Sequence, residues 1–277
     1  TLAVSVLAGC GSKKEETKAA ETTVEWDASN DITIVSREDG SGTRGAFIEL
    51  FGIEVKDESG EKIDMTTEEA QITNSTSVMM TTVAGDEYAI GYVSMGSMDD
   101  SVKAVKIDGA EATAENVKNG SYKVSRPFNI ATREDMENEA ADDFINFILS
   151  KDGQAIVTEN GYIALDTAAE FKTTGAKGKV VVGGSSSVAP VMEKLIETYK
   201  AINPNAEIEL QTTDSTTGMT SAIDGSYDIG MASRELKEEE AEQGVTATVI
   251  AQDGIAVVVN NENDIEGLTS EQIRAIF

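Results

Sequence analysis

The stretch Val180-Val181-Val182-Gly183-Gly184-Ser185-Ser186-Ser187-Val188-Ala189-Pro190-Val191-Met192 carries the clearest structural signal in the chain. Three consecutive valines fit a buried strand, and two glycines followed by three serines end it. Beyond the serines, Val188, Val191, Met192, Leu195, Ile196 and Tyr199 recur at i, i+3, i+4, i+7, i+8 and i+11, which puts them on one face of a helix. Pro190 falls in the first turn, where its missing N–H costs nothing. The unit is strand, turn, helix, and the apolar stripe is core packing.

The same order recurs on either side. Ile32-Thr33-Ile34-Val35 reads as a strand, Gly40-Ser41-Gly42-Thr43 as a turn, and the next residues as a helix with Ala46, Phe47, Leu50 and Phe51 on one side. Ile208-Glu209-Leu210 is followed by Ser215-Thr216-Thr217-Gly218 and a short helix over Thr217–Ile223. Ile90–Val93, Tyr227–Met231 and Ile255–Val259 are further strands. Ala140–Val157 reads as one helix with Phe144, Ile145, Phe147, Ile148 and Ile156 inward, and Leu268–Phe277 is helical. Short strands alternating with helices predict an α/β fold, with no internal repeat.

With 277 residues there is room for one large domain or for two lobes with separate cores. Hydrophobic residues at 40% and charged residues at 26% describe a globular chain. The formal net charge of −28 sets it against nucleic acid and anionic lipid alike. An anion site in such a chain must rest on local donors. The absence of histidine removes Ser-His-Asp and Cys-His catalysis and the commonest metal ligand. No catalytic, cofactor or metal residues are assigned.

The lone cysteine, Cys10, ends the apolar run Thr1–Cys10, which is too short to span a bilayer. Leu7-Ala8-Gly9-Cys10 resembles the lipobox of bacterial lipoproteins, so Cys10 is expected to be lipidated. Gly11–Ser29 is a polar tether. The missing initiator Met and the helical pattern still running at Phe277 suggest a chain truncated at both ends.

Ser41-Gly42-Thr43, Ser185-Ser186-Ser187 and Ser215-Thr216-Thr217-Gly218 share one design: a strand, a Ser/Thr/Gly turn, a helix start. A helix N-terminus offers unpaired N–H groups and a partial positive charge, hydroxyls add donors, and glycine lets backbone come close. Taken singly, each is an ordinary helix cap. Three together point to a shared oxyanion site. No Gly-Lys-Ser/Thr ends any of these turns, which excludes a P-loop.

Ser36-Arg37-Glu38-Asp39-Gly40-Ser41-Gly42-Thr43-Arg44 with Phe47, Gly184–Pro190, Asp228–Arg234, Ala89–Val93 and Phe144–Gln154 together resemble the phosphate-binding proteins of the phosphate ABC importer. The motif order is reversed from the usual family order, as in a circular permutation, a change tolerated where surface termini lie close together. The resemblance implies a two-lobed solute-binding fold of the type II periplasmic class with the ligand cleft between the lobes. Residues 1–30 would be the signal remnant and tether, 31–122 and 255–277 one lobe (lobe B), and 123–254 the other (lobe A). It implies that Arg37 pairs with inorganic phosphate, that Ser41, Gly42 and Thr43 donate from one lobe, and that Ser186, Ser187 and Ser215 donate from the other. Ser233 stands where many family members carry Asp, with Arg234 beside it as a further candidate. Asp39 would accept a hydrogen bond from a protonated phosphate oxygen, which sulfate cannot offer. The implied partners are the permease and ATPase subunits of the importer and, through the lipid, the outer face of the cytoplasmic membrane.

Three other readings compete. A carrier of sulfate or molybdate is disfavoured if Asp39 faces the ligand. A phosphate-ester enzyme would need a nucleophile with its base, or a metal cluster, and Glu238-Glu239-Glu240 reads as a solvated face. A phosphate sensor without transport fits the same residues.

Overall fold

The computed structural model describes residues 26–167 and 169–277. Cys10, its lipobox and most of the tether lie outside the described residues. The chain opens with β1 (Thr33–Arg37) and α1 (Gly42–Leu50), then a small hairpin of β2 (Glu54–Lys56) and β3 (Lys62–Asp64). Next come β4 (Gln71–Thr73), α2 (Thr76–Ala84), β5 (Ala89–Ser94), β6 (Val102–Ala104), β7 (Lys106–Ile107) and α3 (Ala114–Lys118). The second half runs through β8 (Ser125–Arg133), α4 (Glu139–Ile148), α5 (Lys151–Glu159), β9 (Gly178–Ser185), α6 (Ala189–Ile202), β10 (Ala206–Thr213), α7 (Ser215–Asp224), β11 (Ile229–Ala232) and α8 (Glu238–Ala241). It returns along β12 (Val245–Asn260) and ends in β13 (Gly267–Leu268), which pairs with β7, and α9 (Ser270–Ile276).

One sheet runs β10-β9-β11-β8-β12-β5-β1-β4, with β6 also on β12. Its two halves repeat one arrangement. In the first, β9 lies between β10 and β11, parallel to both, and β8 joins β11 antiparallel. In the second, β1 lies between β4 and β5, parallel to both, and β12 joins β5 antiparallel. The 16-residue β12 belongs to both halves: it pairs with β8 through Gly254 and with β5 from Ile255 onward.

The buried apolar residues segregate in the same way. One cluster takes Phe128, Phe144, Leu195, Tyr199, Ile250 and their neighbours, all between residues 128 and 251. Two others take Phe47, Tyr92, Val124, Val257 and Phe277, and Val35, Met79, Val93 and Val258. The molecule therefore has two lobes, A and B, each with its own core. The chain passes between them along β8 near residues 124–128 and back along β12 near 251–255, where Ser125 and Gly254 are paired.

The strand-turn-helix units form where the sequence places them, with longer strands. Tertiary pairing extends Ile208–Leu210 to β10 and Ile255–Val259 to β12, whereas the strand expected at Tyr227–Met231 starts only at Ile229 and runs to Ala232 as β11. The single helix expected over Ala140–Val157 is instead two. Ser150 leaves the helical conformation, its hydroxyl accepts from Gly153 N–H at 3.2 Å, and that cap starts α5. Apolar periodicity runs through the break because both helices face one core.

Parallel strands deliver their carboxyl ends to the same edge, and open α/β sheets bind ligands there. Four helices start at those ends: α1 after β1, α2 after β4, α6 after β9 and α7 after β10. Two belong to each lobe, and they face each other.

Candidate functional site

The end of β1 is set first. Tyr92 is buried with its ring stacked on Phe47 at 3.9 Å, while its Oη accepts from Arg37 N–H at 3.1 Å and pairs with Ser36 Oγ at 2.8 Å. Burial pushes the phenol up to about 12, so it stays neutral. Phe47, named with the motif, thus holds the strand end from behind.

From that strand the Arg37 side chain, 2% exposed, turns into the gap between the lobes. Its Nε and Nη2 donate to Glu38 at 2.8 and 2.7 Å, Nη2 also reaches Ser186 Oγ of lobe A at 3.1 Å, and Nη1 reaches Thr76 Oγ1 at 3.4 Å. Thr43 Oγ1 lies 2.8 Å from Ser187 Oγ and 3.3 Å from Ser233 Oγ across the gap. Ser233 Oγ accepts from Ser185 Oγ at 3.0 Å, and Ser233 N–H donates to Ser215 Oγ at 3.1 Å. The structure therefore gathers Arg37, Thr43, Ser186, Ser187, Ser215 and Ser233 into one buried cluster drawn from both lobes.

Local capping explains which hydroxyls are free to face this gap. In α6 the N-cap is Val188, without a side-chain cap, so Ser186 and Ser187 point across to lobe B. Asp214 caps α7 and releases Ser215. Ser75 caps α2 and releases Thr76. In α1 the roles differ: Ser41 is itself the cap, accepting from Arg44 N–H at 3.3 Å, so the bland reading holds for Ser41. Gly42 opens that helix against the side chains of Ser215 and Ser233. Arg234 is held by Glu240 at 2.6 Å beside Thr216.

Asp39 is not part of the cluster, which corrects the expectation from the motif. Ser41 N–H donates to Glu38 C=O at 2.9 Å, closing a turn that throws Asp39 outward. Its side chain is 96% exposed and pairs with Arg44 at 2.9 Å, and Arg44 also donates to Asp64 and to Arg37 C=O. The carboxylate beside Arg37 is Glu38.

Two residues that the motifs did not mark complete the cluster. Thr76 follows β4 in a fourth strand-turn-helix, Thr73-Asn74-Ser75-Thr76, and bonds Ser186 and Ser187, both at 3.2 Å. Arg126 donates through Nη2 to Thr43 Oγ1 at 3.0 Å, through Nε to Ser233 C=O at 3.2 Å, and through Nη1 to Asp253 at 2.5 Å. Burial raises the Asp253 carboxyl above its ordinary value, although Arg126 pulls the other way. The only sequence signal for Arg126 is a cation opening the mostly apolar stretch Pro127–Ala131.

Two buried guanidinium groups, six hydroxyls and four facing helix N-termini make a local field for an anion inside a chain of net charge −28. Concavities elsewhere on lobe B, beside Lys103 and Glu111 and beside Trp26 and Tyr88, do not touch this cluster. Among the described residues no helix is long and apolar enough to cross a membrane.

Two cored lobes, joined by a pair of strands and facing each other with cations and hydroxyls, define a solute-binding protein. Accordingly, the model of the PBP superfamily domain matches residues 12–152 and 169–277. More narrowly, the chain belongs to the family of the phosphate-binding proteins PstS. It is 56% identical over 276 residues to phosphate-binding protein PstS 2 of Streptococcus agalactiae serotype V, covering 100% of this chain and 91% of the relative. It is 42% identical over 272 residues to phosphate-binding protein PstS 2 of Streptococcus pneumoniae serotype 4, covering 98% and 90%. A crystal structure of a phosphate-binding protein of a phosphate ABC transporter from Streptococcus pneumoniae TIGR4 superposes with a TM-score of 0.70 at 44% identity, covering 90% of this chain and 96% of that one.

Proposed function

We propose that this protein captures inorganic phosphate between its lobes and hands it to the permease of an ABC importer. The observation that carries the reading is the cluster of Arg37, Thr43, Ser186, Ser187, Ser215 and Ser233 spanning the gap, in a chain related along its whole length to phosphate-binding proteins. Phosphate would displace the direct contacts across the gap, taking Arg37, the released hydroxyls and the N–H groups at the four helix starts as donors. Thr76 and Arg126 join the donor set. Lobe B would comprise 31–122 and 255–277, and lobe A 123–254. Alignment of the streptococcal relatives with this chain from end to end supports a motif order common to them all.

Selection against sulfate would not run through Asp39, which faces solvent on Arg44. Hydroxyl oxygens can accept as well as donate, so Ser and Thr side chains can accept the hydrogen bond that a protonated phosphate oxygen donates near neutral pH. Calorimetric titration near pH 7 is expected to show phosphate binding with sulfate much weaker, and Asp39→Asn is expected to move the ratio by less than about 2-fold, since exposed pairs contribute little. A wild-type protein that does not bind phosphate overturns the function. A ratio that collapses in Asp39→Asn puts that carboxylate at the ligand after all.

The anchor rests on Leu7-Ala8-Gly9-Cys10 ahead of a polar tether. In intact cells expressing the protein with its signal sequence, Cys10→Ala is expected to move it from the membrane fraction to the soluble fraction. Retention on the membrane would mean that something other than a lipid on Cys10 holds it there.

A further inference from the structure

Gly40 and Gly42 are not required by backbone conformation. Neither has positive φ, and Gly42 is the first residue of α1, a position alanine would favour. What excludes a side chain at both is the opposite lobe. A Cβ on Gly40 would overlap Asp214 Oδ1 and lie 2.6 Å from its Cγ, and one on Gly42 would overlap Ser215 Oγ and lie 2.9 Å from Ser233 Oγ. At the same spot Thr216 N–H of lobe A donates to Gly40 C=O at 3.1 Å. Asp214 cannot swing aside freely, because it caps α7 through Thr217 N–H at 2.9 Å and Thr217 Oγ1 at 2.5 Å.

The surfaces brought together here are polar, and two neighbouring strands are the links between the lobe cores. Lobes joined in that way are expected to move against each other. Alanine at position 40 would then suit lobe B alone and obstruct only the apposed state.

We propose that Gly40 and Asp214 form a clasp that sets how closely the lobes shut, with Thr216 N–H to Gly40 C=O as its hydrogen bond. Both are positioning residues: they touch the opposite lobe and act on the anion through the distance between the two halves of the cluster. The proposal rests on the phosphate reading insofar as closure is followed with phosphate.

The test compares wild type, Gly40→Ala, Asp214→Gly and the double variant, glycine being a tolerated helix cap. Phosphate association and dissociation rates are measured, together with the distance between spin labels on exposed Glu58→Cys and Glu207→Cys in a Cys10→Ala background. Overpacking of this kind predicts that Gly40→Ala binds phosphate about 5- to 100-fold more weakly. The loss should lie in faster dissociation, with a longer interlobe distance and an association rate within about 3-fold of wild type. Removing the Asp214 side chain should bring the double variant back to the Asp214→Gly level, a coupling that two independent defects would not show. Gly40→Ala closing and binding like wild type overturns the clasp, as does a double variant as weak as Gly40→Ala. Wild type that fails to bind phosphate overturns the function instead. The clasp is then judged on the distances without phosphate, where the same ranking supports it and no difference overturns it.

Discussion

Replacing Arg37 by methionine is expected to reduce phosphate affinity by roughly 10²- to 10⁴-fold, the loss of two charge-assisted hydrogen bonds at about 1.5–3 kcal/mol each. Its guanidinium is 2% exposed and is the charged group of lobe B that reaches both Thr76 and Ser186. Methionine fills similar space, and the Arg37 N–H that Tyr92 accepts from is backbone and survives. Folding should therefore be largely retained, and calorimetry on the folded variant reads binding alone. Part of the loss will come from Glu38, left facing an anion without its partner. Arg37→Met with Glu38→Gln should recover that part. Arg37→Lys should fall between, since an ammonium cannot reproduce the planar fork. Binding of Arg37→Met within about 5-fold of wild type would remove Arg37 from the ligand.

What the sequence shows of the fold and of the site divides along a physical line. The units built by local chemistry are legible: valines into glycines into serines at 180–187, and an apolar stripe from Val188 to Tyr199. Serines and threonines at helix starts are legible as a class, but whether each one caps its helix or faces the cleft is not. Ser41 caps while Ser186 and Ser187 do not, because the neighbours Ser41 and Val188 happen to occupy the cap positions. Asp39 misleads for a similar reason. It sits two residues from Arg37 in sequence, yet the turn points it at Arg44, whose hydrogen bond to Arg37 C=O closes the corner. Thr76 was available from the pattern at 73–76, although β4 is only three residues long. Arg126 and Asp253 were not available, since 127 residues separate them and only the pairing of β8 with β12 brings them together.

That last pair supports the second large effect, which is on stability. Arg126 and Asp253 are 4% and 0% exposed and sit where both strands pass from one lobe to the other. Arg126→Met leaves a buried carboxylate without its counter-ion, at a cost of about 3–5 kcal/mol near neutral pH. The effect has a definite pH dependence. Burial already holds the folded-state pKa of Asp253 above its ordinary value, and removing Arg126 raises it further. A carboxyl with a raised folded pKa favours the native state below its unfolded pKa, about 3.9, and that contribution is lost as pH rises through the folded value. The deficit of Arg126→Met relative to wild type should therefore be smaller near pH 4, where Asp253 can be protonated, and should grow toward pH 7. Asp253→Asn removes the titrating group, so the deficit of the double variant relative to Asp253→Asn should not depend on pH. Denaturant unfolding of wild type, the two single variants and the double variant between pH 4 and 8 decides it. An equal deficit of Arg126→Met at both ends, or a pH dependence of the double variant that survives relative to Asp253→Asn, would mean that Asp253 is not the group Arg126 neutralises. Such a result would leave Arg126 with its bonds to Thr43 and Ser233 as its whole contribution, a donor to the cluster and not a counter-ion at the crossing.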